Sequence, residues 1–261
     1  MPSIRSAALA GLFYPDDAAA LRAAVRGLLA AAQAGPAPKA LIAPHAGYVY
    51  SGPVAASVYA RLTAARGRIH RVVLLGPAHR AAFDGLALSG AAAFATPLGE
   101  VPLDAVAAAS LQALPQVRVL DAAHRAEHSL EVQLPFLQET LGDFTLVPLV
   151  VGDATPEEVS AVLDTLWGGE ETLIVISSDL SHYHEYATAR RRDAATTRAI
   201  EALRPQDIAR EDACGRLPVG GLLLCARRRG LRVETLDLRN SGDTAGPRDR
   251  VVGYGAWAFH D

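Results

Sequence analysis

The stretch LIAPHAGYVYSG, residues 41–52, begins as an aliphatic run and breaks off at Pro44, His45 and Gly47. Two further stretches have the same form: VVLLGPAH, 72–79, ends at His79, and LIVISSDLSH, 173–182, ends at His182. Short continuous aliphatic runs are the mark of strands covered on both faces, as in a mostly parallel sheet. The pattern predicts strands over 40–43, 72–75, 86–88, 146–151, 173–176, 231–236 and 251–258. Helical periodicity predicts helices over 16–32 (Asp16 as cap), 52–65 (Ser51 as cap), 104–112, 129–141, 156–166, 185–203 and 219–229. No internal repeat and no linker-like stretch divides them. The expected fold is α/β, one domain over 1–261, with a mostly parallel or mixed central sheet and helices on both faces.

The chain has 261 residues, half of them hydrophobic, enough for a large core. A formal charge of −3 argues against nucleic acid as a partner. Of the 25 basic residues only Lys39 is lysine. No apolar run reaches the roughly 18 to 20 residues of a membrane helix, and the N-terminal MPSIRSAALAGLFYPDD does not read as a signal peptide. A cytoplasmic location away from membranes is expected, with Cys214 and Cys225 reduced.

In open α/β sheets, ligands sit beyond the carboxyl ends of the strands. His45, His79 and His182 each follow such an end, so all three are expected on one rim. Any one alone reads as a turn residue beside Gly or Pro; three at equivalent positions read as a shared site. Asp179, three residues before His182, is placed to orient that imidazole or to join a metal shell. Equally, Ser177, Ser178 and Asp179 read as a helix cap. RAEHSLEVQLPFLQ, 125–138, adds Glu127, His128 and Glu131. His128 is read both as a neighbour of the site and as structural, and Glu131 as structural. The zinc-protease pattern of two histidines four apart around a glutamate is absent. In DACGRLPVGGLLLC, 212–225, Cys225 reads as a packed core thiol, and Cys214 as a soft ligand or as a nucleophile with His182 or His128 as base. No phosphate-binding glycine loop is present.

The blocks APHAGYVYSG, LLGPAH, EHSLEVQLPFLQ, SSDLSHY and CGRLPVG, in this order over nearly the full chain, resemble the Memo family. Its members are similar to the catalytic subunits of class III extradiol ring-cleaving dioxygenases. The resemblance implies that fold, with a pocket at one sheet rim. It implies a metal trio of His45, His79 and Cys214, with Asp179 and His182 as polar neighbours; His128 and Tyr48 lie in matching blocks. Phe13 stands where relatives often carry tryptophan. The dioxygenases use two histidines and a carboxylate; a cysteine in the third place favours softer ions and is itself open to oxidation. Two functions follow as expectations. One is an oxidoreductase with Fe(II), alternatively copper or zinc, on His45, His79 and Cys214; His182, oriented by Asp179, would be its acid/base group with His128 nearby. The other is a binding module for a small molecule or peptide that has lost the chemistry. The resemblance also implies a pathway shared with radical SAM and AMMECR-type proteins.

Overall fold

Four aliphatic strands lie side by side and parallel at the centre of the sheet: Ala40–Ala43, Thr172–Ser177, Arg71–Pro77 and Thr145–Val151. Every residue of the first two is buried, as continuous aliphatic runs require. The computed structural model describes residues 3–261. Antiparallel strands flank the centre. Val251–His260 pairs with Ala40–Ala43 on one side, and Leu86–Leu88 with Thr145–Val151 on the other. Val117–Val119, Arg232–Asn240 and His182–His184 complete nine strands. A separate small sheet joins Ile4–Arg5, Ala93–Thr96 and Gly99–Pro102.

Alternation along the strands divides the core in two. Leu41, Leu74, Leu146 and Val175 face a cluster containing Tyr59 and Phe136. Ile42, Val73, Val147 and Ile174 face another containing Leu163, Leu222 and Trp257. The sheet is therefore covered on both faces, as read from the sequence.

The differences lie at element ends. The predicted helix over 52–65 is Tyr48–Tyr59, continued by a 3-10 segment Ala60–Ala65. The N–H of Tyr48 donates to the carbonyl of Phe13 at 2.8 Å, so an N-terminal loop anchors the helix a turn earlier. Ser51 lies inside it, its hydroxyl donating to the Ala46 carbonyl. The predicted helix over 129–141 is two, His128–Glu131 and Leu134–Leu141. Pro135 has no N–H to offer the preceding turn and interrupts the ladder there. Asp17, not Asp16, caps Ala18–Ala30, and Glu185 caps Tyr186–Glu201. The helix-cap reading of Ser177–Asp179 is thereby corrected. Ile4–Arg5, Ala93–Thr96, Gly99–Pro102, Val117–Val119 and His182–His184 were not legible, being too short or too polar to show as aliphatic runs.

Lys39 ties the bottom of the sheet to a helix end. Its ammonium donates to the carbonyls of Trp167, Gly169 and Thr172 at 2.7, 2.6 and 2.7 Å. Lys39→Met leaves these carbonyls without their donor. It is expected to lower the unfolding free energy by about 1–3 kcal/mol, read as a shifted urea midpoint; an unshifted midpoint would contradict this role.

Candidate metal centre

The carboxyl ends of the central strands form the rim on which the site is built. His45 follows Ala40–Ala43, His79 follows Arg71–Pro77, and His128 opens the short helix His128–Glu131. One ring nitrogen from each lies within 4.8 Å of the other two. The ring centroids are 5.1 Å apart for His45 and His79, 5.3 Å for His45 and His128, and 4.4 Å for His79 and His128.

The network behind the rings decides which nitrogens are free. The Ser177 hydroxyl donates its single proton to the Ser129 carbonyl at 2.6 Å and accepts from Gln133 Nε2 at 2.8 Å. The orientation of Gln133 is fixed because Nε2 also donates to the Pro44 carbonyl while Oε1 accepts from Tyr59. His45 Nδ1, 2.8 Å from the Ser177 oxygen, is therefore a donor, and Nε2 carries the lone pair. In His79, Nδ1 faces the Glu127 carboxylate at 2.9 Å. A carboxylate only accepts, so Nε2 of His79 is free as well. Such backing fixes the tautomer and orientation of metal-binding histidines. His128 Nδ1 is buried without a hydrogen-bond partner among the described residues, although Glu127 Oε1 is 3.3 Å away.

At His45 and His128, burial favours the neutral ring, the form that binds metal. Burial, followed by the neighbouring His79 and His128, holds His45 well below the usual histidine range. Burial and then His79 lower His128. Burial works to raise the Glu127 carboxyl. Hydrogen bonds from the His79 ring and from the backbone of Ser129 and His79, with the charge of His79, prevail and hold it at about 2. Glu127 is the functional residue whose role the sequence reading missed. The signal available was a carboxylate immediately before His128 in a buried helix start.

Cys214 reaches the cluster from the segment just before the helix Arg216–Arg229. Its Sγ lies 3.3 Å from His45 Nε2 and 3.6 Å from the Asp179 carbonyl. It falls outside the set of three mutually close histidines. Burial, then the charge of Asp179, pushes its thiol up. Cys225 is buried and also raised, to about 12, first by burial.

Asp179 is buried at the same rim, where its Oδ1 accepts the backbone N–H of His45 at 2.7 Å. It does not orient His182 through a hydrogen bond. The Nδ1 of His182 instead donates to the Leu180 carbonyl at 2.8 Å, leaving Nε2 as a base. Tyr48 donates its hydroxyl to the Val132 carbonyl and is structural. The Phe13 ring lies 5.0 Å from that of His128 and lines the site. Glu131 is fully buried and structural, as read.

The loop carrying His182 rests on Asp193, whose carboxylate accepts the Ser181 N–H at 3.0 Å. Gly253 lies so close that a Cβ there would sit 2.1 Å from Asp193 Oδ2. Burial raises the Asp193 carboxyl to about 6, against the opposing Ser181 hydrogen bond. The folded state therefore holds this proton more tightly than the unfolded chain, so ionisation destabilises the fold as pH rises from about 4 through 6. Asp193→Asn is expected to flatten that part of the stability–pH curve and to raise the melting temperature at pH 7. An unaltered curve would rule the effect out.

A Memo-like protein family model matches residues 5–258. A MEMO1 family protein of Metallosphaera sedula is 32% identical over 98% of this chain and 99% of its own length. One of Aquifex aeolicus is 35% identical over 96% of this chain and 97% of its own length. An uncharacterised Escherichia coli K12 protein of known structure shares the fold at a TM-score of 0.56 and 12% identity, covering 84% of this chain and 98% of its own. With the family model and these relatives spanning nearly its full length, the chain belongs to the Memo family.

Proposed function

We propose that this chain is a metal-dependent redox protein that binds Fe(II), with copper or zinc as alternatives, through His45, His79 and Cys214. The observation that carries the reading is the 3.3 Å approach of Cys214 Sγ to His45 Nε2, with His45 Nδ1 already engaged by Ser177. Nitrogen and sulfur ligands on one tetrahedral ion are separated by roughly 3.6 Å, from bond lengths of about 2.05 and 2.3 Å. Cys214 and His45 therefore stand at about ligand distance from each other, and the imidazoles of His45, His79 and His128 lie close enough together to hold one ion. Bound Fe(II) supplies redox chemistry toward oxygen and an organic ligand. The chain's own contribution is to orient the imidazoles, through Ser177 behind His45 and Glu127 behind His79, with burial keeping His45 neutral. His182 is the acid/base group, held through Nδ1 by Leu180 so that Nε2 is free to take a proton. Asp179 positions His45 through its backbone. The substrate is a small organic molecule, and the setting is cytoplasmic; among the described residues no helix is long and apolar enough to cross a membrane.

The test is anaerobic loading with Fe(II), followed by oxygen uptake with protocatechuate and simple catechols. A sulfur ligand in place of a carboxylate should keep ring cleavage below ordinary enzyme rates of about 1 per second, with slow oxidation that consumes the Cys214 thiol. Rapid formation of yellow ring-opened product would overturn the sulfur-ligand argument. Ligand binding with no oxygen uptake under any condition would leave the protein as a binding module.

A further inference from the structure

Beside the metal centre runs a cleft of about 840 Å³ lined by both His79 and Cys214, within the size range of small-molecule sites. One wall comes from the loops after the strands Arg71–Pro77 and Thr145–Val151, and includes Ala78, Phe83, Asp84 and Asp153. The other comes from residues 210–218 and includes Arg210, Arg216, Leu217 and Pro218.

Arg216 is the unusual member. It is only partly exposed, yet makes no ion pair or side-chain hydrogen bond among the described residues. Every other arginine described as buried or half-buried has a carboxylate. Arg5 pairs with Glu131, Arg22 with Glu139 and Arg61 with Glu234. Arg71 pairs with Asp104, Arg192 with Asp212 and Arg239 with Asp237. A half-desolvated guanidinium ordinarily finds an anion, because its fork of donors is costly to leave unmatched. Only Gly215 separates Arg216 from Cys214, so an anion held there lies next to the metal centre. The acidic residues of the cleft, Asp84 and Asp153, are exposed, on the other wall, and their carboxylates form no ion pair among the described residues.

We infer that this cleft selects a substrate carrying an anionic group, carboxylate or phosphate, bound by Arg216 next to the metal centre, with its apolar part against Pro77, Phe83, Leu217 and Pro218. The inference rests on the proposed metal site only for the place where the substrate reacts.

The full-length metal-free protein is titrated calorimetrically at low salt with benzoate, inorganic phosphate and, as a neutral counterpart, benzyl alcohol. Wild type should bind at least one anion and should bind benzyl alcohol more weakly than benzoate. Arg216→Gln should weaken anion binding by about tenfold or more, the scale of a lost charge-assisted hydrogen bond, and leave benzyl alcohol unchanged. Tighter benzoate assigns the substrate to the carboxylates, tighter phosphate to the phosphate esters. If Arg216→Gln does not fold, Ala82→Glu, at an exposed position on the same cleft, should weaken both anions by like-charge repulsion. Absence of anion binding in wild type, or anion binding that these changes leave intact, overturns the inference. Fe(II) stoichiometry of the same proteins after anaerobic loading separates the two readings. Arg216→Gln should keep its metal, and a wild type that binds anions but no metal refutes the metal assignment alone.

Discussion

Replacing Glu131 by alanine is expected to lower the unfolding free energy by about 3–5 kcal/mol, the cost of breaking a buried ion pair from one side. The Glu131 carboxylate is fully buried and accepts from four donors. These are Arg5 at 2.6 Å, the N–H groups of Ala8 and Leu9 at 2.9 and 2.8 Å, and the Tyr14 hydroxyl at 2.5 Å. Arg5 is buried too, and also donates to the carbonyls of His124 and Glu127. Removing the carboxylate strands a buried guanidinium and frees the N-terminal segment through residue 14. That segment carries Phe13, whose carbonyl starts the helix Tyr48–Tyr59. Denaturant unfolding with intrinsic fluorescence measures the loss. A midpoint within error of wild type would show that the Arg5–Glu131 network is not a main stabiliser.

The second large effect concerns metal. His45→Ala and His79→Ala should each remove nearly all tightly bound Fe(II), lowering affinity by more than the 10–100-fold typical of an outer partner. Glu127→Gln, which touches no metal in this scheme, should fall within that 10–100-fold range by loosening His79. The His45 variant keeps its fold because Asp179 bonds to the backbone N–H at that position, which alanine retains. His128→Ala and Cys214→Ala distinguish the third ligand: the greater loss of Fe(II) should follow Cys214. Metal analysis of anaerobically purified protein, with circular dichroism as the fold control, decides. Full stoichiometric Fe(II) in both His45→Ala and His79→Ala would refute the site.

The resemblance to the Memo family was legible in the motif blocks, and the family model and relatives bear it out over nearly the whole chain. The architecture was legible for a different reason. Burial on both faces writes itself locally, so the runs at 40–43, 72–75, 146–151 and 173–176 could be read one at a time. The histidines at 45 and 79 followed from the general rule about strand ends. His182 also followed a strand, yet it opens a short strand of its own, and its Nδ1 is held by Leu180 rather than by Asp179.

The α/β layering, the central aliphatic strands and the rim where His45 and His79 stand were readable without coordinates, because these follow from periodicity and strand polarity over a few residues. The partners came only with the folded chain: Cys214 against His45, 169 positions away, Glu127 behind His79, Ser177 and Gln133 behind His45, and Arg216 without a counter-ion among the described residues. Hydrogen bonds and ion pairs of that kind depend on where distant segments come to lie when the core closes. A single chain segment carries no local signature of the donor or carboxylate that will meet it.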